Sequence, residues 1–385
     1  MRSVELFSGC GGLAMGLSRA GFHHELMVEW NENACSTLAH NKERRIAHVG
    51  GWPFRHTDVR DINWTGLQTV IDLVAGGPPC QPFSIGGKHG GNKDQRDMWP
   101  EAIRSVRELQ PKALLFENVR GLTRPVFAEY LRWITTHLAC PHITRHEDET
   151  HAQHLSRMES RFEEALYGIT VIRANAADYG APQKRHRVIF AGLRKDLGVE
   201  LCIPPQTHSR ERLLWDQWIT GEYWVRHGLA RPTSDAIEAT DRRTINKLKT
   251  LSSPPSGAPW VTVRDALQGL GEPNGRNNHI LQSGARVYPG HTGCPLDQPA
   301  KALKAGAHGV PGGENMMVRD DGSVRYFTVR EAARLQGLPD DFEFPCSWTE
   351  SMRQLGNAVP VQLAEFFGRM IHADLFATVN RQEAA

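Results

Sequence analysis

The sequence predicts an α/β fold, a mixed but mostly parallel sheet with helices on its faces, joined to a smaller irregular domain. Up to about residue 193, short apolar runs alternate with helix-patterned segments. The first apolar run passes into a glycine-rich turn and then a helix, the arrangement of a ligand-binding α/β sheet. After Arg194 the texture becomes proline- and glycine-rich and loses this alternation.

Taken in order, residues 4–7 form a strand and residues 13–20 a helix stopped by Gly21. A second strand covers 26–30, followed by a helix from about Asn31 to His40. Further strands are expected at 70–75, 113–116, 170–174 and 188–193. Pro204-Pro205, Pro232 and the turn-dense stretch 271–313 make the next region irregular. Thr328 and Glu331 form a T-x-x-E capping box ahead of an apolar-periodic stretch that ends at Gly337. Residues 361–376 close the chain with an amphipathic helix. The expected partition is a large domain of 1–193 plus about 350–385, and a small one of about 194–349.

The 385 residues, 40% hydrophobic and 23% charged, are enough for a sizeable core and exclude global disorder. No run approaches 18 apolar residues, so no membrane-spanning helix is expected, and the N-terminus lacks a leader pattern. Seven scattered cysteines are not a disulfide framework and fit a reducing, cytoplasmic setting. A net charge of +2 does not announce nucleic acid by itself; a basic surface would need segregated charges. Cys140, His142, His146, His151 and His154 cluster beside acidic residues. Their spacing is too irregular for zinc, so this stretch reads as a polar surface insertion and no metal is expected.

Phe7-Ser8-Gly9-Cys10-Gly11-Gly12 joins the first strand to the first helix, where glycines allow a backbone to approach a ligand closely. Glu29 ends the second strand, placed to accept two ribose hydroxyls, and Trp30 beside it is placed to stack on an adenine. Asp58 is either an acceptor for the adenine amino group or a loop cap. Together these favour a nucleoside cofactor.

The run 72–84 takes a buried strand into Gly76-Gly77-Pro78-Pro79-Cys80. Two prolines fix the chain just before the thiol at the carboxyl end of a strand, which presents Cys80 as a nucleophile rather than an inert core cysteine. Glycines at 86, 87, 90 and 91 then suit a lid, over about 85–99, with Lys88, Lys93 and Arg96 available for phosphates. Glu117 ends another strand near the same sheet edge. In an extended chain Gln183, Arg185 and Arg187 share one face, which would aim an amide and two guanidinia into the cleft.

In order, Phe7 to Gly12, Glu29-Trp30, Asp58, P-P-C-Q at 78–81, E-N-V at 117–119, Q-x-R-x-R at 183–187, Thr328 to Gly337 and G-N-A-V-P at 356–360 resemble the DNA (cytosine-5) methyltransferase family, in particular its single-chain bacterial enzymes. The resemblance implies a Rossmann-like domain that binds S-adenosylmethionine and leaves S-adenosylhomocysteine. Its cofactor residues would be Phe7, Gly9, Cys10, Gly11, Gly12, Glu29, Trp30, Asp58, Val59, Pro78, Asn357 and Ala358. Cys80 would attack C6 of a cytosine flipped out of duplex DNA, Glu117 would hold N3, and Arg187 with Arg185 would bind the O2 side. Ser84, Lys88, Arg96, Gln183, Arg286, Tyr288, His291 and Lys304 would contact DNA, with target choice between Arg187 and Thr328.

A partner restriction endonuclease, or an orphan methylase, is the expected context, and a monomer suffices for one flipped base. Glu5 stands where the family more often has Asp. A tRNA-modifying branch of the family carries a Cys-Phe-Thr signature that this chain lacks. An inactive DNA-binding module would be free to lose Cys80, Glu117 and Arg187, all present here.

Overall fold

The computed structural model describes residues 1–67, 69–79, 97–290, 292–305 and 313–383. Its centre is a seven-stranded sheet in the order β3-β2-β1-β4-β5-β8-β6. The strands are β1 (Arg2–Leu6), β2 (His23–Glu29), β3 (Phe54–His56), β4 (Leu73–Gly76), β5 (Ala113–Val119), β6 (Tyr167–Asn175) and β8 (His186–Arg194), with the short β7 (Gln183–Lys184) just before β8. Helices α1 (Gly12–Arg19), α2 (Glu32–Glu43), α3 (Trp99–Leu109), α4 (Ala128–Ala139) and α5 (His151–Ser160) fall between them.

β1 to β5 pair in parallel, and β8 runs antiparallel to both β5 and β6. The reversal follows from chain length: only residues 176–185 separate β6 from β8, too few for a helical crossover. β4 and β5 are apolar and buried on both faces, as central parallel strands must be. Every strand expected from the sequence is present, most of them longer at one or both ends, while β3 was not foreseen because three half-exposed residues carry no periodic pattern.

Val4, Leu6, Val74, Phe116 and Phe190 pack with Trp99 on the α3–α4 face. Leu73, Ala75 and Leu115 pack with α1 and with α12 (Val361–Glu383) on the other. α12 lies against α1 at Gly16, where an added Cβ would stand 2.6 Å from the Glu365 backbone nitrogen. The last helix therefore packs onto the sheet face that α1 covers.

The remaining segment is built of short pieces. They are β9 (His208–Ser209), α6 (Arg210–Trp215), α7 (Glu222–Arg226), α8 (Ala239–Leu248), β10 (Ala258–Pro259), α9 (Val263–Leu267), β11 (Cys294–Pro295), β12 (Ala300–Lys301), β13 (Met316–Val318), β14 (Val324–Tyr326), α10 (Val329–Leu335) and α11 (Trp348–Asn357). α10 begins with the capping box read from the sequence: Thr328 Oγ1 accepts from Glu331 N–H, and Glu331 accepts from Thr328 N–H. Its apolar face joins Phe327, Phe342 and Leu355 in a cluster that also holds Cys10, Ala14 and Met15 of the glycine turn and α1. Among the described residues, no helix is long and apolar enough to cross a membrane.

Candidate active site

The parallel order brings the carboxyl ends of β1, β2, β4 and β5 to one edge of the sheet. After β1 the chain turns sharply, with Phe7 at φ 58°, Gly9 at 53° and Gly11 at 89°. Glycine tolerates this conformation and phenylalanine does not, so Phe7 stores strain of order 1–3 kcal/mol in the turn. A Cβ on Gly9 would meet nothing within 4 Å, so that residue faces open space. One on Gly11 would stand 2.5 Å from Trp52. Gly12 is closed from the other side by Ala358 and Val359, which lie against it.

Glu29 is only 6% exposed. Its Oε2 accepts from Gly9 N–H at 2.7 Å, and its Oε1 from Trp30 N–H at 3.0 Å and Asn31 N–H at 2.7 Å. Three amides thus hold the carboxylate at the mouth of the glycine turn. Trp30, 69% exposed, leaves its ring available for stacking. The Cys10 side chain points into the core, where burial pushes its thiol up to about 12, so the residue offers the turn its backbone. Val59 and Pro78 are buried beneath this edge, and Asn357 is exposed at the end of α11.

At the end of β5, Glu117 and Asn118 take opposite tasks. Asn118, 2% exposed, donates from Nδ2 to the Pro78 carbonyl at 3.1 Å and so pins the diproline turn that leads to residue 80. The sequence reading passed over it, although a polar residue in an apolar strand end was the available cue. Glu117 sits beside Gly77 and is ion-paired with Arg187 across the β5–β8 ladder. Cys80, Ser84, Lys88, Arg96 and His291, and nearly all of the expected lid, lie outside the described residues.

The other members of Q-x-R-x-R do not face an open cleft. Gln183 is fully buried and donates from Nε2 to the Leu335 carbonyl at 2.8 Å and to Gln336 Oε1 at 3.1 Å, which removes it from the DNA contacts expected of it. Arg185 is 2% exposed and donates to the carbonyls of Leu303 at 3.0 Å and Gly356 at 2.5 Å. Burial, and then the nearby Arg187, pull its guanidinium well below its ordinary value. Residues from beyond position 300 cover two of the three positions.

Asp58 caps the short turn that follows it, with both oxygens engaged by Arg60. Among the small-domain candidates, Arg286 and Tyr288 are exposed, and Lys304 pairs with Glu314 at 2.7 Å. His154 of the 140–165 insertion packs against His137 of α4, both buried, their facing nitrogens 3.4 Å apart. Among the described residues no three His, Cys, Asp or Glu side chains are grouped to hold a metal.

The family model for C-5 cytosine-specific DNA methylase matches residues 1–139 and 143–373. The chain is 31% identical over 378 residues to the type II methyltransferase M.NgoMIV of Neisseria gonorrhoeae, covering 96% of each. It is 28% identical to M.Eco47II of Escherichia coli, covering 98% of this chain and 80% of that one. In fold it resembles a putative DNA modification methyltransferase encoded within an E. coli prophage, with a TM-score of 0.58, 23% identity, and 97% and 99% of the two chains covered. It also resembles the Dnmt2 methyltransferase of S. pombe, with a TM-score of 0.55, 16% identity, and 97% and 99% covered. With a family model matched along nearly its whole length and the glycine turn, Glu29, Glu117 and Arg187 on one sheet edge, this chain belongs to the C-5 cytosine-specific DNA methylases.

Proposed function

We propose that this chain is the modification enzyme of a type II restriction-modification pair, methylating C5 of one cytosine within a short duplex sequence. The observation that carries the reading is the Glu117–Arg187 ion pair set beside the turn that leads to Cys80. S-adenosylmethionine, the family's methyl donor, supplies an electrophilic methyl group when bound. The chain fits it: Glu29 offers a fixed carboxylate for ribose hydroxyls, Gly9 faces open space, and Trp30 offers a free ring.

C5 of cytosine is a weak nucleophile. In this reading the Cys80 thiolate bonds to C6, and ring electrons shift towards C5 and N3. Glu117 holds the proton at N3, and Arg187 stabilises charge at O2. Both arrive with their charges already matched, so the entering base exchanges one partner for another rather than meeting bare charges. After methylation, removal of the C5 proton expels Cys80 and restores the aromatic ring. The base must leave the stack to reach this edge.

The test is expression in a host without cytosine methylation, with 5-methylcytosine mapped across its genome. One short motif, fully modified, supports the reading. Cys80→Ala should abolish both methylation and covalent capture of DNA containing 5-fluorocytosine; retained methyl transfer by that variant would refute the mechanism. Unmodified DNA with methylated tRNA would move the substrate to RNA.

A further inference from the structure

One joint between the small domain and the catalytic edge is a strand pair. β12 pairs in parallel with β7, Ala300 opposite Gln183 and Lys301 opposite Lys184. Just beyond, residues 301–305 and 313–316 run together, stitched by side chains. Lys301 N–H donates to Cys294 Sγ at 3.3 Å, and that thiol donates to the Glu314 carbonyl at 3.5 Å. Asn315 grips a whole peptide residue: its Oδ1 accepts from Lys304 N–H and its Nδ2 donates to the Lys304 carbonyl, both at 3.1 Å. The Lys304 ammonium pairs with Glu314 outside this clamp.

The catalytic domain closes on the same few residues. Arg185 reaches the Leu303 carbonyl with one nitrogen and the Gly356 carbonyl with another. Gly356 leaves no room for a side chain, since a Cβ there would lie 2.6 Å from the Ala305 Cα. Leu303 to Ala305 are therefore held on one side by Asn315 and on the other by Gly356 of α11 and by Arg185, two residues before Arg187. Asn315 itself is 2% exposed, touches none of the proposed reacting groups, and presents an amide whose donor and acceptor both match a peptide group.

We propose that Asn315 is a specificity-positioning residue: it fixes the backbone at Lys304 relative to Arg187, so that reading the duplex and seating the base are set by one rigid joint. This rests on the DNA reading above. Displacements of about 1 Å can lower the rate of an oriented reaction by up to about a hundredfold, so a loosened joint should be visible in kinetics.

The experiment compares wild type with Asn315→Asp, which keeps the shape but loses the donor to Lys304 O. Each is assayed on a duplex containing the motif mapped for the wild type and on duplexes with one base changed. S-adenosylhomocysteine affinity is measured in parallel by calorimetry. The expected result is a rise of about tenfold in KM for the cognate duplex, narrowed discrimination against the changed duplexes, and unaltered S-adenosylhomocysteine affinity. Unchanged KM and discrimination in Asn315→Asp overturn the proposal, as does a loss of cofactor affinity and melting temperature together, which marks a general structural role. Should Asn315→Asp not fold, Cys294→Ala releases the neighbouring stitch and is held to the same outcomes. A wild type that modifies no DNA would defeat the DNA reading instead.

Discussion

Replacing Glu5 by glutamine should stabilise the protein at alkaline pH and leave it nearly unchanged in mild acid. Glu5 lies in the middle of β1, has no exposed surface, and neither of its carboxylate oxygens has a hydrogen-bond partner. Burial pushes its carboxyl well above the usual range, and the charge of Glu29 adds to this. The unfolded chain releases this proton near pH 4.3, whereas the folded chain retains it to higher pH. The stability this group contributes is therefore fully present below about pH 4.3 and is lost as pH rises towards the folded value. An unsatisfied buried polar group costs about 1–3 kcal/mol, which sets the scale of the gain for the neutral variant at pH 8. The glutamine amide needs accommodating at every pH, so the informative quantity is the difference between pH 5 and pH 8. Urea unfolding followed by the fluorescence of the ten tryptophans supplies it. Parallel stability profiles for the two proteins would mean that Glu5 is ionised and satisfied in the fold.

Gly16→Ala should destabilise despite a gain in helix propensity of up to about 1 kcal/mol, because backbone atoms of α12 block the new methyl group and overpacking costs about 1–3 kcal/mol; a raised melting temperature would contradict this. Glu29→Gln should weaken S-adenosylhomocysteine binding more than about tenfold by calorimetry, since hydrogen bonds to a charged acceptor are worth about 1.5–3 kcal/mol. Arg330, 1% exposed, donates to the carbonyls of Asn277, Pro339 and Phe342, so Arg330→Lys should cost about 2–4 kcal/mol in denaturant unfolding by stranding two of the three. Burial lowers the affinity of His137 and His154 for protons, His137 to about 4. Their contribution is complete above about pH 6.5 and fades as pH falls towards the folded values, so amide exchange in the 140–165 insertion should speed up at pH 5, and less so in His137→Asn.

Much of this molecule was legible because its chemistry sits at chain turns that carry residue-type constraints. Gly9, Glu29, the diproline before Cys80 and the Thr328 capping box can be recognised without a third dimension. What escaped depends on what covers a face. Period-two alternation placed Gln183 and Arg185 beside Arg187, yet contained nothing about Leu303, Leu335 or Gly356 arriving from over a hundred residues away. Asp58 stood open between two uses, and the neighbouring Arg60 decided for the cap. Asn315 was invisible for the same reason: an amide that binds a backbone carbonyl needs only a partner in space, and leaves no spacing to read.

The contact of α1 with α12 also orders events during synthesis. Gly16 and Glu365 are separated by nearly the whole chain, so the wall behind the cofactor turn emerges from the ribosome long after the turn itself. At about 5–20 residues per second the wait is roughly 17–70 s. Through that interval the apolar side of β1 and α1 has no permanent cover, and a nascent chain has no finished cofactor pocket. Methylating capacity then appears in a single step, once the last helix is released, rather than growing as the polypeptide lengthens.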